Sequence, residues 1–181
     1  MDWEIERALA THELVRVERE EIDAEPVTGF VLDHGPELLL LHRLDDFDLA
    51  GYALLRLEDL TAVQADDVEE FTLRVLRDEG QLPYVGPPDP PVPTTSWGDA
   101  FRALEAARKI VIVESEDYEQ EEFYIGRIVR VQDDAVVLHH FDAIGTWDEE
   151  PTAIRFADVT RVRFDERYTT VFEPYVGEPP G

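Results

Sequence analysis

The chain has no cysteine and no asparagine, a single lysine (Lys109) and a single methionine (Met1) in 181 residues. Without cysteine there is no disulfide framework and no thiolate metal site or nucleophile. No apolar run approaches the roughly 18 residues that read as a transmembrane helix. The opening Met1-Asp2-Trp3-Glu4 is acidic where a secretory signal is basic, so a cytoplasmic protein is the expectation. Positive charge is scarce: 16 Lys and Arg stand against 42 Asp and Glu, a net charge of −26. Binding to nucleic acid draws its affinity from cations that neutralise phosphate, so this balance opposes it. It opposes anionic membranes as well. It favours encounter with a basic protein partner.

Enough remains for a core, since 44% of residues are hydrophobic. Residues 80–95 read GQLPYVGPPDPPVPTT, with six prolines. Proline removes backbone donors and favours extended chain, so this stretch reads as a semi-rigid spacer outside either core. It predicts a division into residues 1–80, a linker at 81–95, and residues 96–181.

The two parts match in four blocks. VTGFVLDHGPELLLLHRLDD (27–46) aligns with YIGRIVRVQDDAVVLHHFDA (124–143). Setting Gly29 on Gly126 also sets Leu41 on Leu138, His42 on His139 and Asp45 on Asp142. LVRVERE (14–20) matches IVIVESE (110–116), and LEDLTAV (57–63) matches FADVTRV (156–162). A helical pattern precedes each copy, at WEIERALA and WGDAFRALEAARK. A fixed-order match of this kind is the mark of an internal repeat.

Each copy reads as about five short strands, with turns at Asp33-His34-Gly35-Pro36 and Gln132-Asp133-Asp134. Gly29 and Gly126 sit inside strand patterns, where glycine marks sharp bending or close backbone approach. Helices are predicted over residues 3–10, 67–79 and 99–109, with Ser96 and Asp99 as a capping box. Residues 168–175 (YTTVFEPY) read as an extension of the last strand. The fold class is mainly β with a few short helices.

A helix followed by five bent strands, a glycine in the second, and an Asp-hydrophobic-Thr step into the fifth (Asp59-Leu60-Thr61, Asp158-Val159-Thr160) resembles the Sm-like fold of Sm, LSm and Hfq proteins. The resemblance implies two tandem five-stranded Sm-like (SH3-like) barrels, each preceded by a helix. It also implies assembly by pairing strand four of one unit with strand five of the next, and in many members binding of single-stranded RNA. The family's base-contacting Asn has no counterpart in a chain without asparagine. Its Arg-Gly turn is replaced by Glu58-Asp59 and Ala157-Asp158, and Hfq's Tyr-Lys-His signature is missing.

His42 and Asp45, repeated as His139 and Asp142 with His140 alongside, form the candidate ligand or polar site. The same residues read equally as loop caps at strand ends. Arg127, Arg130, Arg161 and Arg163 are the candidate RNA contacts if the family's RNA role persists. The acidic runs DDFD (45–48) and ESEDYEQEE (114–122) read as solvated loops. No metal site is assigned and no cofactor is implied. There is no nucleophile elbow, phosphate-binding glycine loop or HExxH helix, so the expectation is a non-enzyme. The leading functional expectation is a protein-interaction and assembly module that forms a homo-oligomer. The alternatives are an RNA-binding Sm-like protein, and an acidic inhibitor or nucleic-acid mimic directed at a nuclease or other basic protein.

Overall fold

The computed structural model describes residues 1–117 and 120–180. In chain order its elements are α1 (Asp2–Thr11), β1 (Leu14–Arg19), β2 (Asp23–His34), β3 (Leu38–Asp45), β4 (Asp48–Arg56), β5 (Ala62–Gln64) and α2 (Asp67–Asp78). There follow α3 (Trp97–Ala106), β6 (Ile110–Asp117), β7 (Gln120–Val131), β8 (Ala135–His140), β9 (Thr152–Arg155), β10 (Arg161–Phe164) and α4 (Arg167–Val176). One-turn 3-10 helices at Leu57–Asp59 and Phe156–Asp158 precede β5 and β10. No helix among the described residues is long and apolar enough to cross a membrane.

Among the described residues, all ten strands join one antiparallel open sheet in the order β5-β1-β2-β3-β4-β10-β6-β7-β8-β9. Each half therefore runs fifth, first, second, third, fourth. The halves meet where β4 pairs with β10, through Leu55↔Arg161, Leu54↔Val162, Ala53↔Arg163 and Tyr52↔Phe164.

Matched sequence positions make matched hydrogen bonds. Gly29 lies opposite Val15 and Arg43, and Gly126 lies opposite Val111 and His140. A Cβ on either glycine would collide with the neighbouring carbonyl oxygen, of His42 and of His139 respectively. That close approach is the reason for glycine at both positions. A bulge follows two residues later in each half, between Val31 and Asp33 and between Ile128 and Arg130, and increases the local bend. Leu57 N donates to Glu37 O at 2.8 Å, as Phe156 N does to Asp134 O. Thr61 N donates to Glu18 O at 2.8 Å, and Thr160 N to Glu114 O at 3.0 Å.

The largest apolar cluster crosses the junction. Leu38, Leu40 and Leu54 pack there with Phe101, Val111, Val136, Val162 and Phe164. A second cluster belongs to the first half and joins Ile5 and Ala8 of α1 to Val15, Val31, Leu41 and Leu55.

Two local expectations change. Residues 167–176 form a helix, not a strand extension. The Thr-Thr-Val-Phe run has strand propensity, but Val176 and Phe172 gain burial against Ile110, Ile112 and Phe141 when helical. The proline-rich stretch is also more than a spacer. Val92 lies in the main cluster, Thr94 O accepts from Leu38 N at 3.2 Å, and Thr94 Oγ1 donates to Asp33 at 2.9 Å.

Helix ends follow capping chemistry. Ser96 Oγ accepts from Asp99 N at 3.2 Å, while the Asp99 carboxylate takes the Thr95 hydroxyl at 2.7 Å, so only half of the expected box forms. A reciprocal box instead opens α2. Asp66 accepts from Val68 N at 2.8 Å, and Glu69 accepts from Asp66 N at 2.9 Å.

Candidate functional site

The His-Asp positions do not converge. His42 is buried on β3, stacked on Tyr52 with ring centroids 4.7 Å apart, and its Nδ1 accepts from Gly86 N at 3.4 Å. Burial holds its pKa below the ordinary histidine value. Asp45 is exposed at the end of the same strand, opposite Asp48. His139 is buried against Trp147 and meets the Asp148 carbonyl oxygen at 2.8 Å, which makes its Nε2 the donor. His140, on the opposite strand face, bridges the Thr152 hydroxyl at 2.9 Å and the Asp148 carboxylate at 3.0 Å. Asp142 Oδ1 accepts from Ile144 N at 3.0 Å and Thr146 N at 2.9 Å, which folds the loop back on itself. Among the described residues no three His, Asp or Glu side chains gather as a metal site.

The arginines are more informative. β10 presents Arg161 and Arg163 on one face, because residues two apart in a strand share a face. Glu114, at the same level on β6, is buried and accepts from both. Arg161 Nε donates to one of its oxygens, and Arg163 donates to the other through Nε at 3.1 Å and Nη2 at 2.8 Å. Arg163 Nη1 also reaches Glu166 at 2.9 Å, and Arg43 Nη1 of β3 meets the same Glu166 oxygen at 3.1 Å. Arg161 extends toward Asp23 at 3.9 Å. The result is a lattice of three arginines and three carboxylates laid over the β4–β10 junction. Burial and the neighbouring Arg163 and Arg161 press the Arg43 pKa down, and Glu166 opposes them.

Of the four candidate RNA arginines, two are thus committed to this lattice. Arg127 donates to the Arg108 carbonyl oxygen at 2.8 Å. Arg130 is exposed elsewhere on β7. The structure does not bring the four together. Nor is the second acidic run uniformly a solvated loop: Glu114 is the buried hub of the lattice, and Tyr118 and Glu119 lie outside the described residues.

Comparison with protein-family models, with curated proteins and with solved structures finds no match.

Glu114, Glu166 and Arg43 were not singled out by the sequence. One signal was available for two of them. Arg43 interrupts LLLLHRL, and Glu114 ends IVIVE, so each sets a charge directly against an apolar run. Such a charge needs a partner or it is expelled.

The surface around the lattice is concave. A cleft of about 560 Å³ lies between α2 and the sheet, and a second of about 1110 Å³ lies between the β3–β4 turn and α4. Arg43, Asp45, Asp46 and Arg163 line both, so the clefts adjoin.

Proposed function

We propose that the chain is a tandem Sm-like assembly module that acts through its sheet edges and performs no catalysis. In this reading residues 1–80 and 96–181 are two Sm-like barrel units. The shared strand order, the paired glycines and the paired bulges support it. The observation that carries the function is the junction. The fourth strand of one half pairs with the fifth strand of the other, and the same two kinds of edge remain open: β9, a fourth strand, and β5, a fifth. Repeating the junction between chains would set β9 of one copy against β5 of the next. Placing Ala153 where Leu54 stands and Val63 where Val162 stands makes Ala153 oppose Val63 of the neighbour. Leu54 is wholly buried at the existing junction, whereas Ala153 is exposed at the open edge. Contacts of this head-to-tail kind close into a ring or run on as a fibre, and closure removes every free edge.

Native mass spectrometry at micromolar concentration tests the proposal. A homo-oligomer is expected, and Ala153→Glu, a change at an exposed position, should yield a monomer that keeps the circular-dichroism spectrum of the folded protein. A monomeric wild-type protein overturns it. The RNA alternative is the weaker reading, because Glu114 already occupies Arg161 and Arg163.

A further inference from the structure

The two adjoining clefts carry features that strand-edge assembly does not use. Helix α2 leaves Val68 and Phe71 exposed, at 63% and 51%, on one face a turn apart. Phe47, at the tip of the β3–β4 turn, reaches Phe71 edge-on with centroids 6.5 Å apart and is itself 43% exposed. On the far side α4 leaves Tyr168 and Val171 exposed with the same spacing. Isolated exposed apolar residues are ordinary, but Val68 lines the first cleft and Tyr168 and Val171 line the second, so each of the adjoining clefts carries an exposed apolar rim.

The lining of the two clefts is net negative, with eight Asp and Glu against Arg43, Arg161, Arg163 and Arg167. Arg43, Arg161 and Arg163 are already engaged by Glu114, Glu166 and Asp23, while Arg167 stands exposed at the α4 side. Asp45, Asp46 and Asp48 on the turn are exposed and make no ion pair with any described residue. Asp45 and Asp48 lie directly across the ladder from one another. Like charges placed so are destabilising, and a cation between them relieves the strain.

We propose that this groove docks a basic amphipathic segment of a protein partner. Its apolar side chains at helical spacing would lie between α2 and α4, and its Lys or Arg residues would meet the Asp45–Asp48 turn. This is the helix-in-groove mode of recognition. An anionic lipid surface or an RNA strand would face the same carboxylates and is repelled.

Fluorescence polarisation with a labelled peptide, LKKLLKLLKKLLKL, tests the groove on the full chain. The control has the same composition scrambled so that the leucines no longer share one helical face. The amphipathic peptide should bind, and the scrambled one should bind about tenfold or more weaker. Val68→Ser with Phe71→Ser, both at exposed positions, should weaken binding by a similar factor while leaving the oligomeric state unchanged. Asp45→Asn with Asp46→Asn and Asp48→Asn should weaken it most at low salt. Equal binding of the two peptides, or no response to the Val68/Phe71 change, overturns the proposal. So does loss of the oligomer in the Val68/Phe71 variant, which would make the groove a contact between copies. Ala153→Glu, which tests edge assembly, should leave peptide affinity unaltered, so the two proposals fail separately.

Discussion

Removing the Glu114 carboxylate should destabilise the fold more than any other single loss of charge. Glu114 is 6% exposed, and it accepts one hydrogen bond from Arg161 and two from Arg163. Glu114→Ala takes a short carboxylate contact from Arg161 and leaves Arg163 with Glu166, which Arg43 already shares. Breaking a buried pair by deleting one partner costs about 3–5 kcal/mol. The arginine side chains retain 16% and 19% exposure, so solvent recovers part of this and about 3 kcal/mol is the expectation. For a chain of this length that corresponds to a drop of about 6–12 °C in melting temperature. Urea unfolding followed by tryptophan fluorescence gives the free energy, and thermal melting gives the second reading. A cycle with Glu114→Ala, Arg163→Ala and the double variant should show a coupling of about 1–2 kcal/mol. Most of that coupling should survive molar salt, because the pair is shielded from mobile ions. A Glu114→Ala protein that melts within about 2 °C of wild type, or a cycle that is additive, would refute the claim that Glu114 is the hub of the lattice.

Gly126→Ala should cost at least about 2 kcal/mol or abolish soluble expression, because the new Cβ meets the rigid His139 carbonyl. Gly86→Ala, with open space around the site and an ordinary backbone, should be neutral to about 1 kcal/mol stabilising; denaturant midpoints compare the two. His42 has a folded-state pKa below its unfolded value, so the unfolded chain binds more protons through that window and stability falls as pH drops below about 6.5. The stability difference between wild type and His42→Gln, measured from pH 7.5 to 5, should therefore move in favour of the variant as pH falls, and a pH-independent difference would contradict it. Labelled A-rich and U-rich RNA oligomers should show no measurable binding at near-physiological salt, since 42 carboxylates surround arginines that are already paired; tight binding lost on Arg130→Ala would reverse this.

Much of the fold was legible because its signals are local. Alternation in LVRV and IVIV and the glycines at 29 and 126 each depend on residues within a few positions. Helix α4 escaped because its conformation is set by what Phe172 and Val176 cover. The proline-rich stretch reads as a spacer, but it holds a 3-10 turn at Leu82–Tyr84, and its composition does not reveal that Val92 finds a place in the core. The His-Asp pairs were visible as a pattern and resolve into loop caps and strand-face contacts. The pairing within the arginine lattice was not legible: Glu114 and Arg163 stand 49 positions apart, and in a chain this rich in acids nothing marks one glutamate as the partner of one arginine.

The sheet order also constrains how the chain can be made. β10 is synthesised after the other nine described strands, yet it lies between β4 and β6 at the centre of the sheet. Until it arrives, the first half carries a bare β4 edge, and Leu38, Leu40 and Leu54 lack the Val162 and Phe164 that cover them. Vectorial synthesis therefore holds an adhesive intermediate open for most of translation, and two nascent chains on one message could exchange their β10 strands. The same late closure stops a fragment ending at the proline-rich stretch from reaching the finished surface, so the halves are interdependent in biogenesis even though they are alike in plan.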